Sequence, residues 1–261
     1  MTKELNILFE EWKERMKRNG DGDFFTKDGI LRQNNKSDEQ IEQEWFSSSK
    51  RILFLLKDQH QDGEPKWDED IRDWLKDTEN DNGKALEQKR KNRNLEILFT
   101  QRLAYLLWGL SKADKNCDWW YDEITQHFEE VKTFFITQPF ALVECKKMPG
   151  GGSLKDKILN RHLSNYGDLL KKELDLLKPN IIICTSVFIY DFVVSSYSED
   201  SIQKIEGHNR IRIIRNDNHT ETLIFCSYHP SVFGKKKDFF YEEVMDHYRA
   251  FLKSKYNDID A

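Results

Sequence analysis

Ionisable side chains follow three of the four apolar segments that have the pattern of buried strands. These apolar segments cover residues 52–56, 140–143, 181–184 and 222–226. Polar residues follow the first, second and fourth of them, namely KDQH at 57–60, ECKK at 144–147 and SYHPS at 227–231. Carboxylates, ammonium groups and an imidazole that meet at one edge of a sheet are typical of a hydrolytic site.

Asp58 and His229 have the side chains that hydrolysis of a base–sugar bond requires. Breaking an N-glycosidic bond builds positive charge on the sugar, as in glycoside hydrolysis, and negative charge on the leaving base. A fixed carboxylate can stabilise the cation and orient the attacking water, and a hydrogen-bond donor can stabilise the departing base. We therefore assign the first role to Asp58 and the second to His229. The alternatives are a turn-capping Asp and a hydrogen-bonded loop histidine.

The elements that must position these side chains form an alternating pattern. Helical patterns lie between most of the apolar segments, at about 94–111, 121–135, 154–177 and 238–253. A more alternating segment at 211–214 predicts an edge or hairpin strand. Strands that alternate with helices predict an α/β fold. We expect a three-layer α/β/α sandwich with a short, mainly parallel central sheet, in which ligands bind beyond the carboxyl ends of the strands.

The rest of the chain adds a helical N-terminus and one charged insertion. Apolar residues at helical spacing predict helices at 3–18 and 38–48, which make residues 1–50 an N-terminal helical extension. Residues 76–93 (KDTENDNGKALEQKRKNR) are highly charged and predict a mobile loop. The length of 261 residues suits a single domain with such additions.

Composition excludes several classes of protein. The chain has 41 basic and 46 acidic residues, so a globally basic nucleic-acid coat is excluded, although a local basic groove is not. An aromatic content of 13% argues against disorder. No apolar run approaches the roughly 18 residues of a membrane span, and the charged N-terminus lacks a signal-peptide pattern. We expect a cytoplasmic monomer without a membrane partner.

Neither a metal nor a cofactor is predicted. The four cysteines, at 117, 145, 184 and 226, lack the spacing of a zinc knuckle or an iron–sulfur motif. We expect buried, reduced thiols in the strands. The seven histidines include no HxH or HxxxH pair. The glycine-rich turn at 150–153 has no following Gly-Lys-Ser/Thr and is therefore no P-loop.

The ordered set of motifs resembles the uracil-DNA glycosylase superfamily. An Asp just after the first central strand precedes a late strand followed by His-Pro-Ser at 229–231. Between them, FALVECKKMPGGGS at 140–153 resembles the base-reading segment, and a helix and the strand NIIICTS at 180–186 come next. FFTKDGIL at 24–31 and WDEDIRDWL at 67–75 resemble a prokaryotic branch of the superfamily. The resemblance spans about residues 24–253.

The resemblance implies a monofunctional DNA glycosylase that flips a base out of DNA and needs no cofactor. Asp58 matches the water-activating position, His229 the last motif and Glu144 the base-reading position, with His60 as a second candidate for base recognition. Two departures stand out. The first motif reads Lys57-Asp58-Gln59 without the Gly and Pro of Gly-Gln-Asp-Pro, and Glu144 replaces Asn.

Glu144 bears on the identity of the base. Asn offers a donor and an acceptor to a base edge, whereas an ionised carboxylate only accepts. An ionised Glu144 would oppose O4 of uracil and match the N4 amine of cytosine. We therefore expect a cytosine-type base, for example a modified cytosine of phage DNA, which would imply antiviral defence. A protonated Glu144 could instead donate to uracil O4, as in base-excision repair. Glu144 could also pair with Lys146 or Lys147, or the alignment could be one residue off.

A larger set of residues is expected to contact the DNA backbone or the base stack. Lysines and backbone N–H groups at a helix start can bind phosphates, and apolar residues can wedge into the stack as the base flips out. The alternatives are solvated lysines, a flexible glycine turn and ordinary core anchoring. The candidates are Lys57, Lys146, Lys147, Gly150, Gly151, Gly152, Ser153, Ser231, Val232, Phe233, Lys235, Lys236 and Lys237.

A different class of function also fits the altered first motif. Gln59 in place of Pro is compatible with a DNA-binding module that has kept the pocket and lost catalysis. An unrelated α/β hydrolase is less compatible, because the chain has no Gly-x-Ser-x-Gly nucleophile turn. Replacing Asp58 with Ala would distinguish a DNA glycosylase from an inactive DNA-binding module, because only the enzyme has activity to lose.

Overall fold

A computed structural model describes residues 1–60, 68–114, 119–150, 154–215, 220–232 and 234–257, and excludes the side chains of residues 59, 60, 256 and 257. The α-helices in chain order are α1 (Thr2–Asn19), α2 (Asp38–Ser47), α3 (Gly83–Arg93), α4 (Leu98–Lys112), α5 (Tyr121–Ile124), α6 (Phe128–Thr137), α7 (Asp156–Leu177), α8 (Val187–Ser195) and α9 (Phe239–Asn257). Single 3₁₀ turns lie at Ile71–Asp73, Thr125–His127 and Glu199–Ser201.

The strands form one large sheet and one small pair. In chain order they are β1 (Thr26–Lys27), β2 (Gly29–Ile30), β3 (Ile52–His60), β4 (Glu69–Asp70), β5 (Ala141–Gly150), β6 (Ile181–Cys184), β7 (Ile202–Ile205), β8 (His208–Arg215) and β9 (Glu221–Cys226). The large sheet has the order β2-β5-β3-β6-β9-β8-β7, and β1 pairs with β4. Strands β5, β3, β6 and β9 are parallel, whereas β2, β8 and β7 join antiparallel at the two sides.

Helices cover both faces of this sheet. Phe54 and Leu56 of β3 point to the face that packs against α4, α6 and α9, which we call the α4 face. Leu53 and Leu55 point to the other face, which packs against α1, α7 and α8 and which we call the α7 face. The side chains of residues 52–56 in β3 are almost completely buried, because a strand between two helical layers has no solvent-facing side. The predicted three-layer α/β/α fold is confirmed.

Most predicted elements occur, with two additions to the sheet. The N-terminal helices are present, but residues 1–50 also contribute β2, which pairs antiparallel with β5. Strand β7 was not predicted, because its burial pattern is that of a half-exposed hairpin strand. Cys145, Cys184 and Cys226 are buried free thiols as expected, and Cys117 lies outside the described residues. Among the described helices, none combines the length and apolarity that a membrane crossing requires.

The loop prediction for 76–93 is wrong over residues 83–93, which form α3. The Asn82 side chain accepts hydrogen bonds from the backbone N–H groups of Lys84 and Ala85 and so caps the first turn. Ion pairs then stabilise a helix that has almost no apolar face, among them Lys89 with Asp81 at 2.7 Å. The high charge therefore belongs to a capped helix with a solvated surface.

A buried charged cluster joins the N-terminal segment to the sheet. The Lys147 ammonium lies 2.6 Å from Asp28 Oδ2 and 2.7 Å from Glu173 Oε2, and all three side chains are inaccessible to solvent. Burial, with the Asp28 charge in second place, raises the pKa of Glu173 well above its usual range. A protonated Glu173 leaves one cation and one anion in the cluster, which satisfies the requirement that buried charges be paired.

Replacing Lys147 with Met is expected to lower the free energy of unfolding by roughly 3–5 kcal/mol, because it leaves the Asp28 carboxylate buried without its cation. Denaturant titration of the full chain measures this change. Lys172→Met is the matched control, since Lys172 forms an exposed pair with Glu11 at 3.4 Å and such pairs contribute about 0–1 kcal/mol. Equal stability of the two variants would contradict the prediction.

Candidate active site

Asp58 lies near the carboxyl end of β3, and His229 lies in the loop that follows the carboxyl end of β9. Leu55, Cys184 and Cys226 are in register across β3, β6 and β9. Asp58 follows Leu55 by three positions and His229 follows Cys226 by three positions. Adjacent strands are about 4.8 Å apart, so the two backbones are separated by two strand spacings, or about 10 Å.

Both side chains belong to the α4 face. Asp58 has the same parity in β3 as Phe54 and Leu56, which point to that face. The His229 ring lies 5.7 Å from the ring of Phe99, near the start of α4. Phe99 in turn contacts Trp74 edge-on at 5.6 Å. The sheet register and the first turn of α4 therefore bring the two groups to one side of the edge.

The Asp58 carboxylate is mostly buried and faces a lysine on the neighbouring strand. Asp58 pairs in register with Lys146 of β5, and Lys146 Nζ lies 3.5 Å from Asp58 Oδ2. The Asp58 and Lys146 side chains are 12% and 4% exposed, so little water screens their attraction. Burial lowers the pKa of Lys146, and the Asp58 charge acts in the opposite direction. The ammonium also donates to the Met148 carbonyl, which orients it.

Gly150 packs against this pair at the end of β5. A Cβ atom at Gly150 would overlap the Asp58 carboxylate and come within 3.3 Å of Lys146 Nζ. Only a residue without a side chain allows the β5 backbone to approach the carboxylate this closely. Gly150 thereby shapes the wall of the site, which is a different role from the phosphate contact expected from the sequence.

Replacing Gly150 with Ala is expected to reduce base release by about 10²-fold, because a carboxylate displaced by about 1 Å no longer meets the reacting sugar correctly. Single-turnover assays on a base-containing oligonucleotide measure this rate. Gly83→Ala is the matched control, since a Cβ there meets no atom within 4 Å. The same rate in both variants would show that Gly150 does not position Asp58.

His229 is held as a neutral imidazole by its own loop. Its Nδ1 accepts a hydrogen bond of 3.2 Å from the Ser231 backbone N–H. This bond assigns the remaining proton to Nε2, which can then donate to a bound base. Burial, and next the positive charge of Lys57, lower the pKa of His229 to about 4. The ring therefore remains uncharged at neutral pH.

NMR titration of the histidine rings is expected to show His229 as the Nε2–H tautomer with a pKa near 4. Lys57→Met is expected to raise that pKa towards its usual value, because it removes a positive charge that opposes protonation. The increase is partial, since burial is the larger cause and remains. A wild-type ring that titrates at its usual value of about 6.5 would contradict the assignment.

Arg102 of α4 fixes the loop that carries His229. Its guanidinium is buried and donates to the Pro230 carbonyl at 2.7 Å and to the Val232 carbonyl at 3.1 Å. It also donates to the carbonyls of Lys235 and Lys236 at 3.4 and 3.2 Å. One rigid, planar cation therefore holds the loop on both sides of its turn. Arg102 is a positioning residue, because it acts through the loop.

Glu144 lies on the same face of the sheet as Asp58, one side-chain repeat further from the carboxyl edge. It pairs in register with Leu56, and its backbone N–H donates to Asp28 Oδ2 at 2.7 Å. The side chain is almost completely buried, and Oε2 has no hydrogen-bond partner among the residues that the structure describes. Burial, followed by the charges of Asp28 and Asp58, raises the pKa of Glu144 well above its usual range. Burial therefore favours the protonated form of Glu144.

The lysines near the edge fall into three groups. Lys147 was expected to contact phosphate, but its ammonium is fully buried with Asp28 and Glu173, and that expectation is corrected. Lys146 is also almost fully buried and binds Asp58, which makes it a partner of the carboxylate. These pairings also remove the alternative in which Glu144 binds either lysine. Lys57 is partly exposed and pairs with Asp156 at the start of α7 at 3.1 Å.

The exposed lysines lie on the His229 loop. Lys235, Lys236 and Lys237 are all exposed, and Lys235 Nζ lies 4.5 Å from the centre of the Phe239 ring. Ser231 is exposed and Val232 is half-buried at the same loop. Their contact with DNA remains an expectation. The other candidates lie outside what the structure describes, namely Gly151, Gly152, Ser153, Phe233 and the side chain of His60.

Comparison with known protein families gives one match. A sequence model of the uracil DNA glycosylase superfamily matches residues 74–253, which is more than half of the chain. The chain belongs to the uracil DNA glycosylase superfamily. No curated protein matches the chain. The superfamily match includes Glu144, Arg102 and His229 but begins after Asp58, so the role of Asp58 rests on the geometry of the edge.

Sequence reasoning missed two residues that contact the candidate site. Phe99 contacts the His229 ring and Arg102 holds the His229 loop, yet both were taken only as part of a helical pattern. For Arg102 the available signal was a cation within the apolar run of α4, between Leu98 and Leu106. The sequence offered no such signal for Phe99, because an aromatic residue at helical spacing is usually part of a core.

Proposed function

We propose that the protein is a DNA glycosylase that hydrolyses the N-glycosidic bond of a pyrimidine nucleotide and leaves an abasic site. The observation that carries the proposal is that Asp58 and His229 each follow by three positions a residue, Leu55 or Cys226, that is in register across the parallel sheet. Membership of the uracil DNA glycosylase superfamily supports the same reaction class. The exposed lysines at 235–237 support DNA as the partner.

The reaction needs only water and the side chains of the edge. The C1′–N bond breaks and its electron pair leaves with the base, while positive charge develops on the sugar. The Asp58 carboxylate stabilises that charge and orients a water molecule, whose oxygen forms the new bond to C1′. The proton that the water loses passes to Asp58 and then to solvent. The Nε2–H of His229 donates to the base oxygen that becomes negative.

A protonated Glu144 would admit uracil as well as the cytosine expected from the sequence, and the superfamily match makes uracil the leading candidate. That expectation assumed an ionised carboxylate, whereas burial raises the pKa of Glu144 well above its usual range. A protonated carboxyl has one donor and one acceptor, like the amide of Asn. Its O–H matches uracil O4 and its carbonyl oxygen matches uracil N3–H. The same acid can match N3 and the N4 amine of cytosine when its two oxygens exchange roles, so modified cytosine is the second candidate.

Release of free bases from oligonucleotides tests the proposal. Matched single- and double-stranded substrates carry uracil, cytosine or a 5-substituted cytosine at one position, and mass spectrometry identifies the released base. Uracil release that leaves an alkali-labile abasic site supports the leading proposal, and release of a modified cytosine alone would replace it with the second candidate. No release from any substrate, together with retained DNA binding, would favour the inactive DNA-binding module.

Glu144→Gln tests the role of the buried acid within the same assay. Glutamine presents one donor and one acceptor without a proton to lose, so uracil release is expected to persist in the variant. Glu144→Met removes both groups at similar volume and serves as the opposing control. If the Glu144→Gln and Glu144→Met variants release uracil at the same rate, Glu144 does not read the base.

A further inference from the structure

Two histidines that are far apart in the chain meet at the side of the sheet. His208 begins β8, next to the β7–β8 turn, and His247 lies on α9. Their Nδ1 atoms are 2.8 Å apart and their rings are perpendicular. Asp246 Oδ2 lies 3.8 Å from His208 Nδ1. The three side chains offer ligand atoms that all lie within 4.8 Å of one another.

We propose that His208, His247 and Asp246 bind one divalent first-row transition metal ion, with Zn²⁺ as the representative ion. Two imidazole nitrogens and one carboxylate oxygen are ligands that such ions prefer, and Mg²⁺ and Ca²⁺ prefer oxygen ligands alone. Solvent completes the coordination, since Asp246 is 68% exposed. The proposal is independent of the glycosylase reaction.

The metal-free arrangement accounts for the short distance between the nitrogens. One Nδ1 carries a proton and donates a hydrogen bond to the lone pair of the other Nδ1. Metal binding requires that proton to move through solvent to Nε2 of the same ring, so both rings stay neutral and each Nδ1 offers its lone pair to a cation between them. Nitrogens bound to Zn²⁺ at about 2.1 Å in tetrahedral geometry are about 3.4 Å apart. The rings must therefore separate by about 0.6 Å, which a side-chain rotation at the surface provides.

The charges around the cluster are compatible with a cation. The positive charge of Arg210 acts on His247, but the Arg210 guanidinium pairs with Glu243 and donates to the Tyr228 hydroxyl at 3.1 Å. Bound metal would join the β7–β8 hairpin to α9, so we expect it to stabilise the fold.

Co²⁺ binding to the full chain tests the site. After treatment with a chelator, visible absorption and calorimetry with CoCl₂ are expected to show saturable binding of one ion per chain. His208→Asn and His247→Asn are each expected to weaken Co²⁺ binding by at least about 100-fold, and Asp246→Asn by about 10-fold. His127→Asn is the matched control, because His127 is a surface histidine beside the Glu130 carboxylate at 3.2 Å and should leave binding unchanged.

Thermal unfolding gives a second readout that does not depend on activity. ZnCl₂ at about 100 times its dissociation constant is expected to raise the Tm of the wild type and of His127→Asn by about 5 °C, and to have no effect on His208→Asn or His247→Asn. Each variant is first melted without metal, and either histidine variant alone suffices if the other is unstable. Absence of saturable binding to the wild type, or equal binding to the histidine variants, would overturn the proposal.

Discussion

Replacing Asp58 with Asn is expected to reduce the rate of base release by about 10³-fold and to leave DNA binding unchanged. The amide has nearly the same shape as the carboxylate, but it carries no negative charge to stabilise the sugar cation. It also cannot accept the proton of the attacking water. Single-turnover rates at saturating enzyme separate this loss from any change in binding, which fluorescence anisotropy measures independently.

The control for Asp58→Asn is Asp156→Asn. Asp156 is a neighbouring carboxylate on the same side of the molecule, it pairs with Lys57 at 3.1 Å, and it is half exposed. This variant removes one negative charge near the edge without touching the proposed reaction centre, so the rate constant should stay close to that of the wild type. If Asp58→Asn releases the base as fast as Asp156→Asn does, the assignment of Asp58 is wrong.

Replacing His229 with Ala is expected to reduce base release by about 10²–10³-fold, the usual cost of removing one donor to a developing anion. The Nε2–H of the neutral ring is positioned by the Ser231 backbone N–H on the opposite nitrogen. Alanine leaves the loop in place, because Arg102 holds the loop through carbonyl oxygens and not through the imidazole. The loss should therefore appear in the rate constant and not in DNA affinity.

Lys236→Ala distinguishes chemistry from binding on the same loop. The Lys236 side chain is exposed, and only its backbone carbonyl accepts from Arg102, so the substitution preserves that hydrogen bond. It should weaken DNA binding and reduce the salt dependence of affinity by about one charge, with no effect on the rate constant at saturation. A His229→Ala variant that behaves like Lys236→Ala would make His229 a DNA contact and not a donor to the base.

The order of elements and the parallel sheet could be predicted because they depend on local patterns. Apolar runs at 52–56, 181–184 and 222–226 became β3, β6 and β9, since a strand covered on both faces must be apolar throughout. The same runs placed Asp58 near the end of one central strand and His229 just after another, and on this basis we predict that the two side chains face one another at the carboxyl edge. The charged segment at 83–93 was misjudged because helix caps and ion pairs carry no apolar period.

The charge states of the buried groups could not be predicted in the same way. Lys146 and Lys147 are neighbours in the chain, yet strand alternation sends one to Asp58 on the α4 face and the other to Asp28 and Glu173 on the α7 face. Their partners come from other elements, so neither pairing is visible in the chain around them. Glu144 was taken as ionised for the same reason, because its burial depends on the helices above the sheet.

Residue periodicity and neighbouring motifs sufficed to predict the α/β class, the order of the strands along the chain and the two candidate side chains near strand ends. The contacts of Arg102 with the His229 loop, the burial of Glu144 and the contact of His208 with His247 depend on the tertiary structure. These features join residues at least 39 positions apart or depend on burial by distant elements. Only the packed layers establish such distances and the low dielectric that shifts the pKa values.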